Sequence, residues 1–296
     1  MPALNQHFLT LADGRKLSYV LYGTPNGKAV FYFHGTPSSR LEPLLLNEYN
    51  KSLEQLLQQY NIYLIAIDRP GAGLSTYNPH KSYQSFAADV QQLAIHLQVT
   101  NACILGWSGA GPYALSVAFH FPELITAIYL ITTFARSFSE PQVFEAMHAN
   151  KYYFGTAKYA PWLLRAVMNI VSKKPVSKPM PKWLAGLPQV DYNCMNTSEY
   201  IQHLSAVTIC ESCITGSKGA VQEAALYFSP TDYDIAQIQQ PVHYWWGTAD
   251  NVVPMVHAKA IEEHAPNATM HYKQGEGHIS IYIHYFEEVL ATIAKQ

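Results

Sequence analysis

Short apolar runs alternate along the chain with longer stretches in which apolar residues recur every third or fourth position. Four such runs lie at residues 29–33, 62–67, 102–105 and 125–131. Their almost entirely apolar character is typical of strands buried on both faces of a parallel sheet. Helical spacing is found over residues 41–60 and 85–97, and again from the turn after Ser108 to about Phe121. This alternation predicts a parallel, doubly wound sheet with helices on both faces.

The two ends of the chain add further elements to this sheet. Residues 8–11 and 16–22 flank Asp13-Gly14, which predicts a β-hairpin. Strand patterns return at residues 242–246 and 269–273, and a helix is predicted from about Ile279. Because ligands bind at the carboxyl edge of open α/β sheets, the loops that follow these strands are the place to look for chemistry.

The pattern changes from about Phe134 to Ile238, where strand signals give way to aromatic helical segments interrupted by proline. We interpret residues 1–134 and 239–296 as the α/β core, and residues 135–238 as a helical cap inserted over its functional edge. Aromatic residues in this cap suggest an apolar acyl or alcohol group in the substrate, although such residues more often form the core of a cap. They are Tyr152, Tyr153, Phe154, Trp162 and Trp183.

Composition narrows the classes of partner. The 296 residues are 49% hydrophobic and 14% charged, with 19 basic and 21 acidic residues and a net charge of −2. This balance argues against nucleic acid and against anionic membrane surfaces as main partners. With no secretory signal, spanning segment or disulfide framework evident, a cytoplasmic location is expected. The pair Cys210 and Cys213 has the spacing of a redox or zinc motif, but fits one face of a helix better.

Small residues surround one serine just beyond the third apolar run. Gly106 and Gly109 flank Ser108, followed by Ala110 and Gly111. A sharp strand-to-helix turn needs small neighbours, because bulky side chains at Gly106 or Ala110 would collide as the backbone reverses. The serine at its apex has a strained backbone and an exposed hydroxyl. We therefore predict that Ser108 is a nucleophile, the alternative being a glycine-rich turn without chemistry.

A serine hydroxyl becomes a strong nucleophile when a base takes its proton, commonly a histidine oriented by a carboxylate. Among 13 histidines, His278 stands directly after the last predicted strand, at the start of the last helix. Asp250 ends the loop that leaves the preceding strand; by itself it would be interpreted as a turn or helix-capping residue. The order Ser108, Asp250, His278 predicts a catalytic triad.

Negative charge on a tetrahedral intermediate needs two hydrogen-bond donors. The amide of Gly109, at the start of the helix after Ser108, is one candidate, and the amide of Thr36, after the strand ending at Phe33, is the other. His34 is predicted to fix the shape of that loop, and Arg69 to belong to a structural turn with a lesser chance of contacting ligand. Trp107 is predicted either to line the pocket or to pack beneath the turn.

Five motifs carry a resemblance to a known family. They are His34-Gly35-Thr36-Pro37 and the segments 68–75, 106–111, 247–250 and 275–278. In this order and spacing, nearly the whole chain resembles the α/β-hydrolase superfamily, and most of all its small capped esterases, proline iminopeptidases, epoxide hydrolases and haloalkane dehalogenases. The resemblance implies a mostly parallel, eight-stranded sheet with a helical cap inserted after the strand ending near Ile131. It departs from the family at Ala110, where glycine is usual. The epoxide hydrolases and dehalogenases carry aspartate in place of Ser108, which disfavours their reactions.

Together these features predict a serine hydrolase that cleaves an ester, or less favourably an amide, of a small apolar substrate through an acyl-enzyme on Ser108. No metal or organic cofactor is expected, because the chain supplies both the nucleophile and the charge stabilisation. Two alternatives stay open. An aminopeptidase of the proline iminopeptidase type would need an acidic cap residue for the free amine, and Glu199, Glu211 and Glu223 are available. A ligand-binding protein that keeps the triad but turns over slowly is the other.

Overall fold

The sheet that the apolar runs predict is present. A computed structural model describes residues 6–49, 51–177, 186–196 and 199–296. Its strands are β1 (Gln6–Thr10), β2 (Lys16–Gly23), β3 (Lys28–Phe33), β4 (Ile62–Ile67), β5 (Ala102–Ser108), β6 (Ile125–Thr133), β7 (Val242–Gly247) and β8 (Ala268–Lys273). They form one sheet in the order β1-β2-β4-β3-β5-β6-β7-β8. The pairs β1–β2 and β2–β4 are antiparallel and all others are parallel, which confirms the predicted fold class.

Helices cover both faces of this sheet. In chain order they are α1 (Leu53–Gln59), α2 (Tyr83–Leu97), α3 (Gly111–His120), α4 (Pro141–Glu145), α5 (Asn150–Tyr159), α6 (Pro161–Val171), α7 (Gln189–Met195), α8 (Tyr200–Ser205), α9 (Lys218–Leu226), α10 (Met255–His264) and α11 (His278–Ala294). Residues of α2, α3 and α10 share one buried cluster with alternate strand residues such as Phe31 and Phe33. The intervening residues Val30 and Tyr32 pack with α1 and α11 on the other face.

The prediction of one continuous helix over residues 41–60 is wrong. A tight 3-10 turn spans Glu42–Tyr49, and α1 begins only at Leu53. Polar side chains explain the new start, because the Ser52 hydroxyl accepts from the Gln55 amide and the Asn47 side chain accepts from the Leu53 amide. Side-chain acceptors at a helix start supply partners that an uninterrupted helix would have supplied from its own backbone.

Helices α4 to α9 lie between β6 and β7, within the segment predicted as a cap. A proline again sets a boundary, since α5 ends at Tyr159 and α6 starts at Pro161, a position where the missing amide hydrogen costs nothing. In the described parts of the chain, no helix combines the length and apolarity needed to cross a membrane.

A buried ion cluster joins these inserted helices to the core. The Arg69 guanidinium donates from Nε and from one terminal nitrogen to the Glu223 carboxylate of α9, at 3.0 and 2.7 Å. Lys81 donates to the same carboxylate at 2.6 Å. Burial raises the pKa of Glu223, but the two adjacent cations outweigh burial and hold this pKa well below its usual range. The carboxylate is therefore charged, and it compensates two cations that have no access to water.

Removing this charge should destabilise the fold strongly. Glu223→Gln leaves the Arg69 and Lys81 cations buried without a counter-charge, which is expected to lower the free energy of unfolding by about 3–5 kcal/mol. Urea unfolding measures the change. Glu211→Gln is the matched control, because Arg40 keeps Asp68 as a partner at 2.8 Å and the expected loss is below about 1 kcal/mol. Equal losses in the two variants would contradict this account of the cluster.

Candidate active site

Ser108 lies at a sharp turn at the carboxyl end of β5. Its backbone φ is +57°, in the left-handed region that residues with side chains rarely adopt. Helix α3 begins three residues later, so the chain reverses within the turn. A Cβ atom added to Gly106 would lie 2.7 Å from the Cβ of Ala110, which is too close for two carbon atoms. Glycine at position 106 is what allows alanine to replace the usual glycine at position 110.

The three residues predicted as a triad lie within hydrogen-bonding distance of one another. His278 Nε2 is 3.0 Å from Ser108 Oγ, and His278 Nδ1 is 3.0 Å from Asp250 Oδ2. His278 is the first residue of α11, and Asp250 lies in the loop after β7. Elements far apart in sequence thus deliver the three side chains to one edge of the sheet. In this arrangement a proton from Ser108 can pass to the imidazole while the carboxylate stabilises the resulting cation.

Asp250 is fixed by hydrogen bonds at both carboxylate oxygens. The amides of Val252 and Val253 donate to Oδ1 at 2.7 and 2.9 Å, as in an Asx turn. The Thr132 hydroxyl at the end of β6 donates to Oδ2, the oxygen that also faces His278. Asp250 therefore fills the structural role expected from sequence and the position predicted for the triad acid at the same time.

A second carboxylate, Asp191 of α7, holds the backbone beneath His278. Its oxygens accept from the amides of His278, Ile279 and Ser280, at 2.8–3.0 Å, at the start of α11. Burial raises the pKa of Asp191, opposed by the hydrogen bonds of these amides. The carboxyl occupies the space where a side chain at position 277 would stand, 2.4 Å from an added Cβ, so Gly277 is required for this approach. The sequence had pointed to no role for Asp191.

Of the two alternatives left by the sequence for Trp107, the structure supports the one in which it lines the pocket. Its side chain lines the pocket at Ser108, and its ring stacks on the His278 imidazole with ring centroids 5.3 Å apart. The indole nitrogen donates to the His278 carbonyl oxygen at 3.2 Å. The ring and backbone of His278 are thus restrained by Trp107 from one side and by Asp191 from below.

The two amides predicted to bind an oxyanion belong to segments that one tyrosine joins. The Tyr227 hydroxyl, at the end of α9, lies 2.6 Å from Thr36 Oγ1 and 2.7 Å from the Gly109 carbonyl oxygen. The neighbouring Gly35 amide is occupied, since it donates to both oxygens of Glu42. Among the described residues, none accepts a hydrogen bond from the amide of Thr36 or of Gly109. Both amides stay available for a ligand next to Ser108.

His34 and Arg69 act on this loop from beneath. The imidazole of His34 is wholly buried, 2.7 Å from the Gly35 carbonyl oxygen, as predicted for a residue that shapes the loop. Arg69 donates to the carbonyl oxygens of His34 and Gly35, and its side chain is fully buried. Arg69 does not line the pocket at Ser108, so it supports the loop rather than contacting a ligand there.

The pocket in front of Ser108 has a volume of about 270 Å³. The inserted segment supplies an aliphatic wall, made of Val176, Leu187, Met195, Ile201, Leu204 and Ile209. The described aromatic residues among those suggested by the sequence take no part in this wall: Tyr153 is absent from the lining, Phe154 is buried elsewhere, and Tyr152 and Trp162 are 73% and 72% exposed. Trp183 lies outside the described residues. The pocket is therefore apolar, as expected, but through aliphatic residues.

None of the cap carboxylates offered as amine-binding groups reaches this pocket. Glu223 pairs with Arg69 and Lys81, and Glu211 pairs with Arg40. Glu199 is exposed at the start of α8, and the pocket lining includes none of the three. In the described part of the chain, a free amine at Ser108 would therefore not contact any of these three carboxylates.

The carboxyl group that does face the pocket is Glu42, at the start of the 3-10 turn. Besides the Gly35 amide, it accepts from the Tyr32 hydroxyl at 2.7 Å. Burial raises the pKa of Glu42 to about 7, against the hydrogen bonds that favour its charged form. A charged carboxylate at this position would oppose negative charge on a ligand bound at Ser108. Sequence gave no signal for this role, because the residue lies within an ordinary helical pattern.

The pKa of Glu42 makes stability depend on pH. Its folded-state value of about 7 exceeds the ordinary value of 4.5, so the folded protein binds this proton more tightly than the unfolded chain. Stability due to this group is complete below pH 4.5 and is lost as the pH rises through 7. Relative to Glu42→Gln, the wild type should lose up to about 3 kcal/mol between pH 4.5 and pH 8. Urea unfolding of both proteins across this range measures it, with the exposed Glu263→Gln as control; parallel curves for wild type and Glu42→Gln would contradict it.

Asp191 should affect both folding and the reactivity of Ser108. Asp191→Ala leaves three amides at the start of α11 without acceptors and should lower the free energy of unfolding by about 1–2 kcal/mol. It should also slow covalent labelling of Ser108 by a fluorophosphonate under conditions where the variant is fully folded, because His278 loses its backbone support. The exposed Gln189→Ala on the same helix is the control. A destabilised variant labelled at the wild-type rate would leave Asp191 a purely structural role.

Comparisons with known proteins agree with the observed fold. The model of the family described as the alpha/beta hydrolase family matches residues 30–292. The uncharacterized hydrolase YugF of Bacillus subtilis is 25% identical over 281 residues, covering 90% of this chain and 89% of the relative. A proline iminopeptidase of Xylella fastidiosa is 28% identical over 127 residues, covering 41% of this chain and 37% of the relative.

Among solved structures, the esterase RhEst1 from Rhodococcus sp. ECU1013 has a TM-score of 0.68 at 21% identity, with 99% of both chains covered. An esterase from Exiguobacterium antarcticum has a TM-score of 0.67 at 20% identity, covering 98% of this chain and 99% of the other. These likenesses concern the fold. Because the family model spans most of the sequence and ends beyond His278, the chain belongs to the alpha/beta hydrolase family.

Proposed function

We propose that this protein is a serine hydrolase that cleaves carboxylic esters of small, apolar acyl groups through an acyl-enzyme on Ser108. The hydrogen-bonded series Ser108–His278–Asp250, opening into an aliphatic pocket, is the observation that carries the proposal. The family supports a hydrolase, and solved esterases share the fold.

The reaction follows from the roles of these groups. Ser108 Oγ attacks the ester carbonyl while His278 Nε2 takes its proton, and the carboxylate of Asp250 stabilises the imidazolium. The amides of Thr36 and Gly109 donate to the oxyanion of the tetrahedral intermediate. When the intermediate collapses, His278 gives the proton to the departing alcohol oxygen. Water then attacks the acyl-enzyme with His278 as base, releasing the acid and restoring Ser108.

Esters are favoured over the aminopeptidase alternative by the distribution of charge. An amine-terminal substrate needs an acidic group aimed at the substrate, and Glu199, Glu211 and Glu223 are directed elsewhere. Glu42 has both oxygens engaged by the Gly35 amide, and burial raises its pKa to about 7. The pocket therefore favours a neutral, apolar acyl group.

Covalent labelling by a fluorophosphonate, detected by intact mass, tests the nucleophile. Wild type should gain one adduct, Ser108→Ala none, and His278→Ala should label slowly. Turnover of a p-nitrophenyl ester should fall about 10⁶-fold in Ser108→Ala and about 10⁴-fold in Asp250→Asn. Ser229→Ala, a half-buried serine outside the pocket, is the matched control and should behave as wild type.

A panel of esters of increasing acyl length, set against prolyl arylamides, then tests the substrate class. Turnover confined to the esters supports the proposal, whereas preference for the arylamides would favour the aminopeptidase function. If the folded wild-type protein gained no adduct, the proposed serine hydrolase activity would be contradicted. Ligand-induced shifts of the melting temperature without turnover would then favour a binding protein.

A further inference from the structure

The outward face of α6 is apolar, which is the reverse of the usual pattern for a surface helix. Its inward side is marked by Leu164 and Met168, the two buried residues of the helix. Its polar flank carries Arg165 and Asn169, and Asn169 accepts from the Ser217 amide. Apart from Pro161 in the first turn, the remaining exposed residues are Trp162, Leu163, Ala166, Val167, Ile170 and Val171.

These apolar residues form a continuous surface. At 3.6 residues per turn they cover about half of the helix circumference. Trp162 and Ile170 are 72% and 71% exposed, and Tyr159, just before the helix, is 77% exposed. Tyr152 adds a further ring, 73% exposed, two turns earlier on α5. Single exposed apolar residues are common on proteins, but a contiguous set of this kind marks a contact surface.

Positive charge surrounds this surface. Residues 146–190 contain seven of the 19 basic residues of the chain and no aspartate or glutamate. The described ones are all exposed: Lys151, Lys158, Arg165, Lys173 and Lys174. We call the exposed side of α5 and α6, with these cations, the basic apolar face. Acidic residues elsewhere in the chain offset this local positive charge, so it does not show in the net charge of −2. The expectation of no anionic membrane partner rested on that net charge.

We propose that the basic apolar face docks onto anionic lipid bilayers, with α6 lying in the headgroup region. Exposed aliphatic residues supply area for burial, tryptophan and tyrosine suit the interface between water and hydrocarbon, and flanking cations attract acidic headgroups. A second copy of the chain fits this face poorly, because a two-fold contact brings the same residues together and would set the cations of one copy against those of the other.

The face lies one helical layer away from the pocket. Helix α6 contacts a π-helical turn formed by Ala206–Cys210. Thr208 and Ile209 of this turn line the pocket at Ser108. If the proposed ester hydrolysis holds, docking would bring the pocket near apolar esters dissolved in the bilayer. The docking itself needs no active serine.

Vesicle co-sedimentation of Ser108→Ala protein tests the docking apart from turnover. Vesicles of phosphatidylcholine with phosphatidylglycerol should bind the protein, and phosphatidylcholine alone or high salt should weaken binding. Reversing two cations, in K173E/K174E, should lower the partition coefficient more than about tenfold. Ile170→Ser should lower it roughly tenfold by removing apolar area.

The control variants make the same kinds of substitution at exposed residues outside the basic apolar face. K259E/K295E changes the net charge by the same amount as K173E/K174E, at exposed lysines outside the basic apolar face. Ile95→Ser, in the last turn of α2, is matched to Ile170→Ser because both isoleucines are 71% exposed. Both control variants should bind vesicles as well as the parent does. Thermal unfolding of Ile170→Ser should match the parent, since the residue is exposed.

Three results would overturn the docking proposal. They are failure of the parent protein to bind the anionic vesicles, equal loss of binding in the control variants, and a dimer in sedimentation velocity that Ile170→Ser abolishes. Because binding and fluorophosphonate labelling are separate readouts, failure of one leaves the other proposal standing.

Discussion

The buried guanidinium of Arg69 holds together the parts of the molecule that meet at Ser108. It donates to the carbonyl oxygens of His34 and Gly35, which sets the course of the loop leading to Thr36. It also pairs with Glu223 on an inserted helix. A buried cation without its counter-charge costs several kcal/mol, so the loop and α9 must stay joined while the protein is folded. The shape of the loop beside Ser108 thus depends on an ion pair whose residues do not line the pocket.

The inserted helices consequently belong to the site as much as the sheet does. Tyr227, at the end of α9, joins the Thr36 and Gly109 segments, and Asp191 of α7 holds the start of the helix that carries His278. These contacts orient groups on the core. The same segment forms the aliphatic wall of the pocket. Changes in this segment can therefore alter rate and specificity together, because one set of helices both positions the reacting groups and shapes the space before them.

The pocket and the outer surface of these helices differ in their electrostatics. Inside, Arg69 and Lys81 pair with Glu223 away from the pocket lining, burial raises the pKa of Glu42 to about 7, and the wall supplied by the inserted segment is aliphatic. Outside, cations surround the apolar side of α6 without acidic residues of the same segment. An apolar interior suits neutral acyl groups, and a basic apolar exterior suits an acidic interface. The aliphatic wall of the pocket and the basic apolar face both belong to the segment between β6 and β7.

Local sequence determined the strands, the sharp turn at Ser108, and the order of the candidate triad. Each of these can be predicted from residues close together in sequence: apolar runs, small residues around Ser108, and polar residues directly after strands. Tertiary structure alone decided which distant groups pair. Asp191 lies 87 residues from His278, and Glu223 lies 154 residues from Arg69. It also decided that the 41–60 helix is divided and that α6 faces outward. Periodicity reports which residues avoid water locally, whereas these outcomes depend on how packed elements satisfy buried charges and amides.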